Sequence, residues 1–243
     1  MPVLLITGAS RGIGAATARL AATRGYDVAV NYVRDAAAAD SVVADIRAAG
    51  RTGFAVQGDM AQEADIERVF ATVDEKLGRL THLVYNSGIV GRMSRLDAVS
   101  AQTLREVLDL NVFGALLSLR AAIRRMSTAH GGQGGAIVLL SSAVATLGSP
   151  GEYVWYAASK GAVDSMTAGA AREVAKEGIR VNAVAPGPID TGIHEPGRLD
   201  RIIPNVPIGR AGTPAEVAEA ILFMLSEAAA NITGTVLRCA GGR

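Results

Sequence analysis

Thr7-Gly8-Ala9-Ser10-Arg11-Gly12-Ile13-Gly14 constrains this chain more than any other stretch. Ahead of it stands Val3-Leu4-Leu5-Ile6, a short aliphatic run that predicts a buried strand. Behind it, residues 15–22 are good helix formers. Three glycines therefore occupy the turn between a strand and a helix. Such a turn bends sharply and brings its backbone close to whatever it binds, and glycine permits both because it has no Cβ. The helix aims its unpaired N–H groups and its positive dipole end at the same place, which suits a phosphate or diphosphate. Taken alone, the stretch also fits a strand–helix connection that binds nothing.

Bulk properties narrow the classes. A chain of 243 residues has room for one large α/β domain or two small ones. Hydrophobic residues at 49% and charged residues at 19% support a large core. A net charge of +1 gives no electrostatic case for nucleic acid or an anionic membrane. Cys239 is the only cysteine, so an internal disulfide is excluded and a reducing, cytoplasmic setting is the expectation. The first strand begins at Val3, and the reading is of a chain without a signal peptide or a bilayer-spanning run. His82, His130 and His194 are scattered without ligand spacing and read as structural or surface residues rather than metal ligands.

Strand and helix patterns then alternate without a linker. Strands are predicted at 27–32, 52–57, 82–85, 136–141, 180–185 and 235–238. Helices are predicted over 36–49 behind Asp35 as N-cap, 64–77, 100–126 behind Ser100 as cap, 154–177, and from Pro214 to about residue 225. Seven strands alternating with helices predict an α/β fold, a parallel sheet of about seven strands with helices on both faces. No repeat or composition break divides it, so residues 1–243 read as a single domain.

Such a sheet binds its ligand at the carboxyl ends of its strands. Those ends read Asn31-Tyr32, Gly58-Asp59-Met60, Tyr85-Asn86-Ser87-Gly88, Ser141-Ser142 and Pro186-Gly187-Pro188-Ile189. Each has a plain structural explanation when taken singly: Asp59 as a helix cap, Asn86 and Gly88 as a turn, Ser142 as a loop serine. Tyr156-Ala157-Ala158-Ser159-Lys160 adds a tyrosine and a lysine at i and i+4, on one helix face. An ammonium held near a phenol favours the phenolate, and a phenol tuned toward neutral pH serves as a general acid or base. An ordinary surface pair is the alternative, and it is disfavoured because this helix follows the strand ending in Ser142. Asn111 falls on the apolar stripe Leu104, Val107, Leu108, Ala115 and Leu119 of its helix. A buried amide there must find partners, so it bends the helix or holds a water.

In order along the chain, Thr7-Gly8-x-x-x-Gly12-x-Gly14, Asn86-x-Gly88, Asn111, Ser142, Tyr156-x-x-x-Lys160 and Pro186-Gly187-x-x-x-Thr191 resemble the short-chain dehydrogenase/reductase family over the whole chain. The resemblance implies a Rossmann-type, doubly wound fold and hydride transfer between a nicotinamide cofactor and a small-molecule carbonyl or alcohol. It implies Tyr156 as the acid/base, Lys160 as the group that lowers its pKa and binds the nicotinamide ribose, and Ser142 as a hydrogen-bond partner of the substrate oxygen. Asn111 would hold the water linking Lys160 to solvent. Asp59 would reach the adenine amino group, with backbone contacts from Met60. Gly8, Ser10, Arg11, Gly12, Ile13 and Gly14 would cradle the phosphates; Asn86, Ser87 and Gly88 would line the cofactor; Pro186, Gly187, Ile189 and Thr191 would orient the nicotinamide. In such enzymes the cofactor carries the hydride and the protein supplies geometry and charge. The resemblance also implies a homotetramer, or at least a dimer, with helices 103–126 and 154–177 pairing with their copies through Leu116, Leu117, Ile123, Val163 and Met166.

Two places depart from the family's pattern. Tyr85 and Ser87 stand where Asn-Asn-Ala-Gly has its first asparagine and its alanine, which places a bulky ring near the expected cofactor edge. Ser141 rivals Ser142, and Ser142 is preferred as the residue just beyond the strand. Two other readings, a cofactor-binding regulator without catalysis and a sugar-nucleotide epimerase or dehydratase, fit less well: the first would be expected to lack the tyrosine or lysine, the second needs a separate substrate domain. NADP(H) is the expected cofactor, with NAD(H) as the alternative. In dinucleotide folds an acid at the end of the second strand holds the ribose 2′-hydroxyl. That place falls at Asn31 or Tyr32, neither acidic, while Arg11 and Arg34 lie nearby to meet a 2′-phosphate. Residues 190–210 hold Gly192, Pro196, Gly197 and Pro204 and read as a substrate lid. Ile193, His194, Leu199, Ile202, Val144, Trp155 and Met93 suggest a partly apolar pocket that leaves thioester, sugar, ketone and polycyclic alcohol substrates all open.

Overall fold

The computed structural model describes residues 1–192 and 197–243. Strands β1 (Val3–Ile6), β2 (Asp27–Tyr32), β3 (Gly53–Gln57), β4 (His82–Tyr85), β5 (Gly135–Leu140), β6 (Ile179–Pro186) and β7 (Val236–Cys239) form one sheet in the order β3-β2-β1-β4-β5-β6-β7. Every pairing is parallel, and Ile6 lies opposite Val30 on one side and Val84 on the other. The chain reverses its direction across the sheet between β1 and β4, so a crevice opens at their carboxyl ends.

The helices are α1 (Gly12–Thr23), α2 (Ala36–Ala48), α3 (Glu63–Leu77), α4 (Ala101–Leu108), α5 (Gly114–Met126), α6 (Val144–Leu147), α7 (Val154–Val174), α8 (Arg198–Ile202) and α9 (Pro214–Leu225). Alternation along each strand assigns its residues to two cores. Leu5, Leu83, Tyr85, Ile137 and Leu139 pack with α3, α5 and α7; Leu4, Ile6, Val84, Val138 and Leu140 pack with α1, α2 and α9. Strands covered on both faces read as nearly continuous apolar runs, which is why these show no regular polar alternation. Helix starts follow local chemistry. Asp35 accepts from the Ala38 N–H, and Thr213 with Glu216 forms a reciprocal capping box ahead of Pro214.

Two expectations are corrected here. Ser100 caps its helix as expected, accepting from Thr103 N–H, but the helix is not continuous to Met126. Residues Asp109–Phe113 form a π-helical turn around the buried Asn111, with the Gly114 N–H bonded to the Asp109 carbonyl five residues back. The apolar surplus expected for self-association is also distributed differently. Leu117 and Val163 belong to the core, whereas Leu116 is 47% exposed and is joined on the surface by Leu108 and Phe113. Among the described residues no helix is long and apolar enough to cross a membrane.

Candidate active site

The glycine turn closes β1 onto α1. Gly8 at φ +59° and Gly12 at φ +57° take the left-handed conformation that side chains disfavour. At Gly14 a Cβ would stand 2.8 Å from the Gly8 carbonyl oxygen and 2.7 Å from Asn86 Nδ2, so no larger residue fits. Arg11 is the N-cap residue and makes no side-chain cap, and no acidic residue lies in the first turn of α1. The N–H groups and dipole of this helix end are therefore left for an anion, and the cradle fits a dinucleotide diphosphate. Ser10 and Ile13 are half-buried in the same turn, and Thr191 faces it, with Cγ2 3.6 Å from where a Gly12 Cβ would lie.

Side chains from neighbouring strands lock the turn. Thr7 Oγ1 accepts from the N–H groups of both Asn86 and Ser87, at 3.0 Å each. Asn86 Nδ2 donates to the carbonyls of Thr7 and Gly8, at 2.9 Å each. Asn31 is fully buried; its Oδ1 accepts from the Gly8 N–H, and its Nδ2 donates to the carbonyls of Val56 and Gly58. The amide is thus committed behind the turn, where it holds the Gly8 N–H. Tyr32, half-buried, and Arg34, exposed, stand at and just past the end of β2. Asp59, half-buried, tightens its own turn by accepting from Ala61 N–H, and Met60 is fully buried beneath it. The ring of Tyr85 does not lie at the crevice edge: it points into the core under α5, where its hydroxyl donates to the Leu110 carbonyl.

Ser142, Tyr156, Lys160 and Asn111 come together at the ends of β4 and β5. β5 ends at Leu140, leaving both serines beyond it. Ser141 is buried and donates to Asp164 Oδ1 at 2.5 Å, facing away, whereas Ser142 is half-buried, donates to the Pro186 carbonyl at 3.5 Å and acts to lower the neighbouring Tyr156 phenol. Ser142 is therefore the serine on the Tyr156 side. Lys160 is 4% exposed, its Nζ 5.7 Å from the centre of the Tyr156 ring and donating to the Leu140 carbonyl at 2.6 Å. Asn111 Oδ1 accepts from Ile89 N–H, and its Nδ2 donates to the Ile89 carbonyl and to Ser159 Oγ. Gly88 separates it from the lysine: a Cβ there would lie 3.3 Å from Asn111 Oδ1 and 3.5 Å from Lys160 Nζ.

Burial dominates the electrostatics. It raises the Tyr156 phenol above its ordinary value, opposed by the neighbouring Ser142 hydroxyl and the positive charge of Arg198. The Lys160 ammonium, aimed at the Leu140 carbonyl, is burdened by burial as well. That burial brings Lys160 down to about 8, opposed by the Asp164 carboxylate.

The remaining wall comes from β6 onward. The Pro186 carbonyl accepts from Ala143 N–H, Gly187 packs against Ala240 with no room for a Cβ, and Ile189 is buried and pairs with Gly212. Trp155, expected to face a substrate, is instead core: 4% exposed, packed on Val107 and Tyr153, with Nε1 donating to the Val90 carbonyl. Met93, Val144, Leu199 and Ile202 are half-buried. Ile193, His194 and Pro196 lie outside the described residues. An unforeseen pair closes this side: Arg198 of α8 bonds Glu152 at 2.8 Å and stacks over Tyr153, 5.2 Å from the ring centre. No local spacing announces partners 46 residues apart.

A parallel sheet with this crossing order, a glycine turn at its switch point and a serine–tyrosine–lysine cluster beside it are the marks of a nicotinamide-dependent oxidoreductase. The chain belongs to the short-chain dehydrogenase/reductase family, whose members act on CH–OH and carbonyl groups. A family model described as enoyl-(acyl carrier protein) reductase matches residues 8–243. The uncharacterized oxidoreductase YgfF of Escherichia coli is 46% identical over 247 residues, covering 100% of both chains. A 3-oxoacyl-(acyl-carrier-protein) reductase of Synechocystis is 39% identical, covering 99% of this chain and 96% of its own. A solved short-chain dehydrogenase from Burkholderia cenocepacia in complex with NADP aligns with a TM-score of 0.92 at 36% identity, over 99% of this chain and 97% of that one.

Proposed function

We propose that this protein is an NADP(H)-dependent oxidoreductase that interconverts a carbonyl and an alcohol, with Tyr156 as general acid/base. The observation that carries the reading is the meeting of Ser142, Tyr156 and Lys160 beside a glycine turn whose helix end is left open for an anion. When bound, the nicotinamide supplies or accepts the hydride. The Ser142 hydroxyl holds the substrate oxygen, and in reduction Tyr156 donates its proton to that oxygen; in oxidation it takes the proton back. Burial keeps the resting phenol protonated at neutral pH, the form that reduction needs. Lys160 binds the nicotinamide ribose, and Asn111 supports the route by which the proton is replaced from solvent.

The preference for NADP(H) over NAD(H) rests on the absence of an acidic side chain at Asn31 and Tyr32 and on the exposed guanidinium groups of Arg11 and Arg34. The NADP complex of the Burkholderia cenocepacia relative supports the same choice. Residues 1–243 act as one catalytic domain, and 190–210 serve as its lid, latched by Arg198 on Glu152. The protein works in the cytoplasm as a homotetramer, without nucleic acid or membrane partners. The test is a panel of carbonyl and alcohol substrates followed at the nicotinamide absorbance with NADPH and NADH. Tyr156→Phe is expected to lower kcat by about 10²-fold or more while cofactor affinity stays, since it keeps the ring and removes only the hydroxyl that exchanges the proton. A variant keeping a tenth of the wild-type rate rejects the assignment.

A further inference from the structure

Tyr85 occupies a strand-end position where the family pattern has asparagine, and no step of the proposed reaction uses it. We infer that Tyr85 is a positioning residue for Asn111: its hydroxyl grips the π-helical turn and so sets where the Asn111 amide stands beside Gly88 and Lys160. The inference rests on the catalytic reading given above.

The contacts run through the turn from one side to the other. Tyr85 is 2% exposed, and its hydroxyl donates to the Leu110 carbonyl at 2.6 Å, one residue before Asn111. A π-turn is less favourable than the α-helix on either side of it and persists where tertiary contacts hold it. Space for the phenol is built in. At Gly114, where α5 restarts, a Cβ would stand 2.6 Å from the Tyr85 hydroxyl and 2.0 Å from the Met60 carbonyl oxygen. On the far side, Asn111 is tied to the Ile89 backbone and to Ser159, whose hydroxyl also donates to the Tyr156 carbonyl. The turn is thus held by a phenol from beneath and by an amide from above, and the amide abuts the catalytic helix. Burial and the nearby Asp59 carboxylate keep the phenol protonated, so it remains a donor throughout the pH range of catalysis.

Tyr85→Phe tests this, because it keeps the ring and its packing and removes only the hydroxyl. Amides of residues 110–115 are expected to exchange hydrogen about fivefold faster in the variant, with the rest of α5 unchanged. The kcat is expected to fall about fivefold at unchanged NADPH dissociation constant, with its pH profile displaced by about half a unit. Unchanged local exchange overturns the inference. So do a wild-type kcat and pH profile accompanied only by a lower melting temperature, the behaviour of a core filler. Tyr156→Phe is measured alongside. Retained activity there defeats the catalytic reading itself, and the exchange measurement still decides whether Tyr85 holds the turn.

Discussion

Arg11, in the glycine turn, and Arg34, two residues past the end of β2, are both exposed. Arg11 caps α1 without using its side chain, while Asp35, the residue after Arg34, is occupied with Ala38 as the cap of α2. A guanidinium keeps its charge and matches phosphate oxygens with two donors. Arg11→Ala and Arg34→Ala are each expected to raise the Michaelis constant for NADPH by on the order of tenfold, with that for NADH almost unmoved. Steady-state kinetics with both cofactors check this, and equal or better efficiency of the wild type with NADH removes the basis for it. Lys160 carries a second expectation at this scale. With burial bringing it down to about 8, its ammonium is lost as the pH rises through that value. NADPH affinity, followed by fluorescence titration, is therefore expected to weaken above about pH 8, and a flat profile between pH 7 and 9 contradicts the role given to this lysine.

At the level of elements, strand residues close the ends of helices. Arg180 of β6 donates to the carbonyls of Met224, Leu225 and Ser226, completing the C-terminus of α9. His82, at the start of β4, packs edge-on to Tyr26 with ring centres 5.0 Å apart and is brought down to about 4 by burial and by Arg180. Its folded pKa lies below the ordinary 6.5, so between those values the unfolded chain binds a proton that the native protein does not. Stability from this group is therefore complete above about pH 6.5 and is lost as the pH falls toward 4, by as much as about 3 kcal/mol. Urea denaturation at pH 7 and pH 5 measures the loss, and His82→Gln is expected to shrink it; an unchanged difference in the variant refutes the assignment. The π-turn belongs to this scale too. Leu104, Val107, Leu108, Ala115 and Leu119 read as one stripe in the sequence, whereas the extra residue in the turn offsets the helix face by about 100° and Leu108 is 44% exposed.

For the whole molecule, the exposed apolar side chains Leu108, Phe113 and Leu116 form a patch on α4, the π-turn and α5. A second copy of the chain is the occupant proposed for it. Light scattering at micromolar concentration is expected to return a tetramer, and Phe113→Asp to shift it toward smaller species; a wild-type monomer rules this out. What the sequence determined by itself was local in origin. The glycine turn, the alternation of strands and helices, the caps at Asp35 and Ser100, the helix start at Pro214, and the Tyr156–Lys160 spacing all depend on neighbours within a few residues. Tertiary structure alone decided which way side chains face and what they meet. Tyr85 and Trp155 became core, Asn31 turned behind Gly8, and Leu117 and Val163 joined the sheet's packing. Arg198 found Glu152 across 46 residues, and Ser141 was taken up by Asp164, which left Ser142 for the tyrosine. In a sheet buried on both faces the strands read as nearly continuous apolar runs, so composition carries little sign of direction. The direction is set only when helices distant in the chain dock and leave each side chain a single space to fill.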